Sequence, residues 1–138
     1  MSFNVFFDEN TSIYIAKALN VLESNSKEII IKHTTDVERL GKGAADLAIA
    51  QFVNHSKGIL FTQDDDFKKS QMLVQAMKEY PIGLFYFKQP KKTTYWELVK
   101  TYTTCWLYAR EEIKTMNIPF YFEIMKSGKI KKRNHLSH

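Results

Sequence analysis

Short apolar runs alternate along the first two thirds of the chain with longer stretches whose apolar residues recur at helical spacing. The runs lie at residues 3–7, 28–33, 58–62 and 82–87. Each has strand length, is rich in β-branched or aromatic residues and is bounded by polar residues, glycine or proline, which predicts four strands. The succession Ile29, Ile30, Ile31 predicts a strand covered on both faces, as in a parallel sheet.

Between the runs the period changes. Thr11 or Ser12 can cap a helix over 12–22, with Ile13, Ala16, Leu19 and Leu22 on one stripe widened by Ile15, Ala18 and Val21. A short helical turn is expected at 36–40. A second helix over 44–54 would bury Leu47, Ala48, Phe52 and Val53 or a similar stripe, and a third over 69–79 would bury Met72, Leu73, Ala76 and Met77 before Pro81 ends it. The resulting order β-α-β-α-β-α-β predicts the α/β class, as a three-layer α/β/α fold. Its sheet should be mostly parallel, with helices on both faces and right-handed crossovers.

After a polar linker at 89–93, a long helix is predicted over 94–116. Tyr95, Leu98, Tyr102, Cys105, Ala109 and Ile113 fall on its apolar stripe, beside Val99 and Trp106. Asn117 and Pro119 break that pattern. A strand over 120–125, a tight turn at Ser127 and Gly128, and a return strand over 129–133 predict a C-terminal β-hairpin. Residues 1–88 therefore read as the α/β core, and residues 89–138 as a C-terminal helix and basic hairpin or tail packed on the same domain.

Composition narrows the class. The chain has 138 residues, 44% hydrophobic and 25% charged, which suits one soluble domain with an ordinary core. A net charge of +5 favours a polyanionic partner. Cys105 is the only cysteine, which excludes an intrachain disulfide and a cysteine-based zinc cage. No window is long and apolar enough to span a bilayer, and residues 1–10 lack a leader pattern, so a cytoplasmic, membrane-free setting is expected.

The candidate chemistry sits where strands end. Asp8 and Glu9 follow the first run, Asp46 falls in the first turn of the second helix, and Asp64, Asp65 and Asp66 follow the third run. Each has an ordinary explanation by itself: a turn or cap residue, a carboxylate favoured by a helix dipole, a solvated loop. Together, three separate segments would bring carboxylates to one edge of one sheet, where open α/β sheets build their sites. Such a cluster attracts a hard divalent cation, Mg²⁺ or Mn²⁺.

Three stretches carry a family resemblance. Val5-Phe6-Phe7-Asp8-Glu9-Asn10 resembles the opening strand of the PIN-like subgroup that begins Asp-Glu-Asn. Asp46-Leu47-Ala48-Ile49-Ala50 resembles a PIN-domain helix start, and Leu60-Phe61-Thr62-Gln63-Asp64-Asp65-Asp66-Phe67 resembles the Thr-x-Asp-x-Asp-Phe segment of the same family. The resemblance, to PIN-domain nucleases including VapC-type toxins, covers residues 3–87. It implies that the core over residues 1–88 is catalytic, that of a Mg²⁺- or Mn²⁺-dependent endonuclease in which Asp8, Asp46 and Asp64 hold the metal and Asp66 assists as a further catalytic acid. Glu9, Asn10, Glu38 and Thr62 are the supporting candidates, Glu38 being the one acid at hand for a further position that many members fill; Thr62 could orient a carboxylate or bind a phosphate but reads more readily as a half-buried strand residue. RNA as substrate, a role as the toxin of a type II toxin–antitoxin pair and an antitoxin partner follow from the resemblance alone. A homodimer is a further expectation.

Other signals are weaker. Gly41-Lys42-Gly43 lacks the Walker spacing, although Lys42 could touch a nucleic-acid backbone. His33 and His55 lack ligand-spaced partners, and the stripe Tyr95, Tyr102, Trp106 reads as core. Lys126, Lys129, Lys131, Lys132 and Arg133 read equally as a solubilising sheet edge or as a phosphate contact. Two other functions fit less well: a catalytically weak PIN-like module that binds RNA or protein, and a receiver-like phosphoryl-transfer domain using Lys88.

Overall fold

The computed structural model describes residues 2–37, 45–64 and 68–133, without the side chains of 68–70. Its elements, in chain order, are β1 (Phe3–Phe7), α1 (Ile13–Glu23), β2 (Ile29–His33), a 3-10 turn (Thr34–Asp36), α2 (Asp46–His55), β3 (Ile59–Asp64), α3 (Lys68–Glu79), β4 (Gly83–Lys88), α4 (Tyr95–Thr115), β5 (Phe120–Ile124) and β6 (Ile130–Lys132). One six-stranded sheet runs in the order β2-β1-β3-β4-β5-β6. All neighbouring pairs are parallel except β5 with β6, which close as an antiparallel hairpin. The α/β class with a mostly parallel sheet is therefore as expected. The C-terminal segment also joins the sheet, because β5 pairs with β4.

Side chains alternate across a strand, and the two sets fill two cores. Val5, Phe7, Phe61, Phe85 and Phe122 pack with α1 and α4 through Ile15, Leu19, Tyr102 and Trp106. Phe6, Leu60, Leu84 and Tyr86 face the opposite way and pack with α2 and α3 through Ile49, Val53, Leu73 and Met77. On the α1/α4 face, Phe7, Phe61, Phe85 and Phe122 occupy matched register positions. Their rings stack in a ladder, with centroids 4.7, 4.6 and 5.3 Å apart. Each stacked pair is worth about 1 kcal/mol beyond its burial, and the ladder fixes the register one residue short of Asp8 and Thr62.

The ends of the helices follow the expected chemistry. Ser12 caps α1 by accepting from the Ile15 N–H at 3.2 Å, and Thr94 with Glu97 forms a capping box on α4. Glu23, 5% exposed at the end of α1, accepts from Trp106 Nε1 at 2.7 Å and from Arg110 Nε at 2.8 Å. That buried carboxylate ties α1 to α4.

Several local expectations are corrected. The isoleucine strand β2 is an edge strand whose burial alternates, and Ile30 is 40% exposed because α2 and α3 do not extend over it. On α2 the buried residues are Ile49, Ala50 and Val53, while Leu47 and Ala48 are exposed. Leu47 is roughly 200° around the helix from Ile49, so the face on the sheet rather than the longest apolar stripe decides burial. Leu22 and Val21 on α1, Met72 on α3 and Tyr95 on α4 likewise point outward.

The four crossovers also do not share one hand. The β3–α3–β4 and β4–α4–β5 connections both step the same way along the sheet, yet α3 lies on one face and α4 on the other. The other two connections agree with β3–α3–β4, which leaves β4–α4–β5 as the exception to the right-handed rule. With α2 and α3 already on one face, α4 covers the phenylalanine ladder that α1 leaves open. Among the described residues, no helix is long and apolar enough to cross a membrane.

Candidate active site

The strand order reverses between β1 and β3. From β1 the chain steps outward to β2, and from β3 it proceeds the other way to β4 and β5. Loops at the carboxyl ends of these two strands diverge, leaving the crevice in which open α/β sheets hold ligands. Asp8 is the first residue past β1, and Asp64 is the last residue of β3.

Asp8 is 0% exposed and held from several directions. Its N–H donates to Phe61 O at 3.0 Å, which continues the ladder to β3. Its Oδ1 accepts from the Asn10 N–H at 3.1 Å, and its Oδ2 accepts from the Thr62 hydroxyl. Its carbonyl accepts from the Thr11 hydroxyl at 2.6 Å. A carboxylate this buried requires such donors. Thr62, itself fully buried, is thus an orienting residue for Asp8 rather than a plain strand residue.

Strand parity places the remaining groups. Asp8 shares its face with Phe6, Thr62 and Asp64 share theirs with Leu60, and Tyr86 shares its face with Leu84. All therefore project to the α2/α3 side at the carboxyl edge. Tyr86, 0% exposed, donates its hydroxyl to Asp64 Oδ1 at 2.6 Å. Asp46 opens α2, whose Ile49 and Val53 pack on that face, and the crossover from β2 starts α2 at this same edge. Ala45, the residue before it, makes no side-chain cap, so the half-buried Asp46 is the acid in the first turn.

Among the described residues, no three His, Cys, Asp or Glu side chains form a group that could hold a metal ion. The structure thus brings Asp8, Asp46 and Asp64 to one edge and one face without closing them into an all-protein cage. The donor chemistry still fits a hard divalent cation: the ligands on offer are carboxylate oxygens, and Mg²⁺ is usually held by one or two carboxylates, completed by water and substrate phosphate. Asp66, Glu38 and Lys42 lie outside the described residues. Glu9 is half-buried beside Asp8, and Asn10 contributes its backbone N–H.

The basic tail is not beside these acids. Lys131 and Lys132 are exposed on β6, Lys129 is exposed in the turn before it, and Arg133 is ion-paired with Glu123. Strands β4 and β5 separate β6 from β3, a distance on the order of 14 Å across the sheet. Other lysines are nearer. A polar cleft of about 500 Å³ opens beside Asp64, lined by Asn10, Gln63, Gln89, Lys91, Lys92 and Thr93. Gln63 faces away from the acids and braces this cleft. Its Nε2 donates to Gln89 Oε1 at 2.6 Å, and its Oε1 accepts from the Tyr102 hydroxyl at 2.6 Å. Burial pushes the Tyr102 phenol well above its usual value, so it remains a donor. Burial also pushes the Cys105 thiol up to about 12, which makes it an inert core residue.

Sequence reasoning missed Tyr86, Gln63, Gln89 and Tyr102. Their roles depend on the β3–β4 register and on the packing of α4, neither of which leaves a local pattern. His33 proves structural: its Nε2 lies 2.9 Å from Thr11 O and its Nδ1 2.7 Å from Thr35 Oγ1, joining β2 to the turn after Asp8.

A family model described as a PIN like domain matches residues 3–89, from the start of β1 to just past β4. No curated protein and no solved structure gives a match.

Proposed function

We propose that this chain, which belongs to the PIN-like domain family, is a divalent-metal-dependent endonuclease that hydrolyses phosphodiester bonds, with RNA as its substrate. PIN-like domains are in general nucleases. The observation that carries the proposal is the pair Asp8 and Asp64 at the strand-order reversal, on one face, each held by a buried hydroxyl.

In this reading Asp8 and Asp64 hold Mg²⁺ or Mn²⁺, Asp46 adds a carboxylate from the start of α2, and Asp66 assists. The bound ion would lower the pKa of a water and offset charge on the phosphoryl oxygens. The protein's own part is positioning. Thr62 and the Asn10 N–H leave Asp8 little freedom, and Tyr86 does the same for Asp64. Lys91 and Lys92, lining the cleft beside Asp64, would draw the phosphate backbone toward these acids. Such a mechanism needs no ribose 2′-hydroxyl and leaves 5′-phosphate and 3′-hydroxyl ends.

The test is incubation of the purified protein with end-labelled RNA, with Mg²⁺, with Mn²⁺ and with chelator. Metal-dependent internal cleavage that Asp8→Asn abolishes supports the reading; cleavage unchanged by that substitution refutes it. A second reading, a binding module of weak activity, is favoured by the lack of a three-carboxylate group among the described residues. It would show RNA binding without metal-dependent cleavage. The toxin role rests on the resemblance to VapC-type proteins. Growth arrest on induced expression, relieved by Asp8→Asn, is its expected signature.

A further inference from the structure

The first turn of α4 carries two aromatic rings that the core does not use. Trp96 is 74% exposed and Tyr95 44%, and the two rings meet edge to face with centroids 5.5 Å apart. The contrast within one helix is sharp, since Trp106 is 5% exposed and donates its indole N–H to Glu23. Nothing in the packing of α4 requires a tryptophan at position 96, and a large exposed apolar side chain beside another marks a contact surface.

Directly before this turn runs the loop 89–93, which lines the polar cleft beside Asp64. Lys91 and Lys92 are both exposed there. Lys92 is held at φ 65, in the left-handed region that lysine seldom adopts. The loop is pinned to the acid edge. Gln89 N–H donates to Asp64 O at 2.7 Å, Gln63 holds the Gln89 side chain at 2.6 Å, and the Thr93 hydroxyl donates to Pro90 O. The capping box of Thr94 and Glu97 then fixes the direction in which α4 leaves. Lysines and rings therefore follow one another along a single braced segment that begins beside Asp64. On the other side of the same turn, Lys100 and Lys126 line a second cleft of about 310 Å³ with Thr93 and Glu97. Aromatic rings interleaved with lysines match one chemistry: an unpaired nucleic-acid strand, whose bases stack on rings while its phosphates lie against cations.

We propose that residues 91–96 form the strand-binding platform of this protein, with Trp96 and Tyr95 stacking unpaired bases and Lys91 and Lys92 neutralising the phosphates that lead to the cleft beside Asp64. Its place as the feeder of a cleavage site rests on the nuclease reading above, but the binding itself does not. A duplex keeps its bases stacked inside and cannot use the rings, so the platform selects single strands.

The experiment is a fluorescence titration of the full chain in chelator, so that no cleavage occurs. The probe is a single-stranded oligouridylate, with an RNA duplex of equal length as comparison. Trp96 and the buried Trp106 are the only two emitters of their kind. The single strand should quench the exposed component, and Trp96→Phe should remove most of that quench while leaving Trp106 emission. Trp96→Ala should weaken single-strand binding about tenfold, and Lys91→Gln with Lys92→Gln should lower the salt slope by about 1.4. Circular dichroism should report an unchanged fold, since these side chains are exposed. The proposal is overturned if the wild type binds no single strand, if affinity and salt slope survive both sets of substitutions, or if duplex binds as tightly with the same quench. Quench and salt response without any metal-dependent cleavage would uphold the platform and remove the nuclease reading.

Discussion

Tyr86 and Asp64 are not register partners: Tyr86 on β4 pairs with Thr62, and its hydroxyl reaches two residues further along β3 to the Asp64 carboxylate, at 2.6 Å. The reach spans a cross-strand diagonal that only a long side chain can close. It makes a fully buried phenol the brace of a proposed metal ligand.

Removing that brace should affect the site more than the fold. Tyr86→Phe keeps the ring among Leu60, Leu84 and Val53 and deletes one hydrogen bond, at a cost of about 1 kcal/mol. Cleavage is expected to fall roughly tenfold and to need more Mg²⁺ for half-maximal rate, as when a group orienting a metal ligand is lost. Rate against Mg²⁺ concentration checks this. A lower rate at an unchanged metal requirement would give Tyr86 a structural role only.

Asp8→Asn and Asp64→Asn should each lower cleavage by about 10²-fold or more, because the ion contributes several kcal/mol to the transition state. In Asp8→Asn the amide oxygen can accept from the Asn10 N–H while the amide NH₂ donates to the Thr62 hydroxyl oxygen, and in Asp64→Asn the amide oxygen can still accept from the Tyr86 hydroxyl, so far-ultraviolet circular dichroism and thermal midpoint should change little. Full metal-dependent activity in both variants would exclude these residues.

Acid should loosen the joint between α1 and α4. The hydrogen bond from Arg110 is the main reason that the Glu23 carboxyl titrates below the usual glutamate range, with Trp106 and Ser26 adding to it against the opposing effect of burial. A carboxyl depressed in the folded state contributes stability above its unfolded value and loses it as pH falls through the folded one. Thermal midpoints should therefore drop as pH is lowered through and below the glutamate range. In Glu23→Gln the midpoint should start lower, by an amount equivalent to about 2 kcal/mol, and that part of the acid dependence should flatten. Parallel curves for the two proteins would contradict this.

Gly128 makes the hairpin turn at φ 94, and a Cβ there would lie 2.5 Å from Thr104 Cβ on α4. Gly128→Ala should cost at least about 1 kcal/mol, from the disfavoured backbone region and the clash together. The turn lies across the sheet from the acids, so cleavage per folded molecule should not change. A denaturant midpoint and a cleavage rate on the same sample separate the two effects.

The element order, the mostly parallel sheet and the placing of Asp8, Asp46 and Asp64 at element ends were legible along the chain. Apolar run length and helical period are local properties, and an acid after a strand can be read without knowing any neighbour. Thr62 was legible only as a candidate, since its place in the run read more readily as that of a half-buried strand residue; its bond to Asp8 needed the assembled sheet. Other decisions belonged to tertiary structure alone: which faces of α1, α2 and α3 are buried, the exposure of Ile30, the opposite hand of the α4 crossover and the turning outward of Trp96. So did the bonds from Tyr86 to Asp64 and from Tyr102 to Gln63. Each of these depends on strand order and register, which are set by packing between residues far apart in the chain, such as the phenylalanine ladder linking β1, β3, β4 and β5. Local pattern places a carboxylate at the end of a strand; only the assembled sheet decides which strand stands beside it and which hydroxyl holds it.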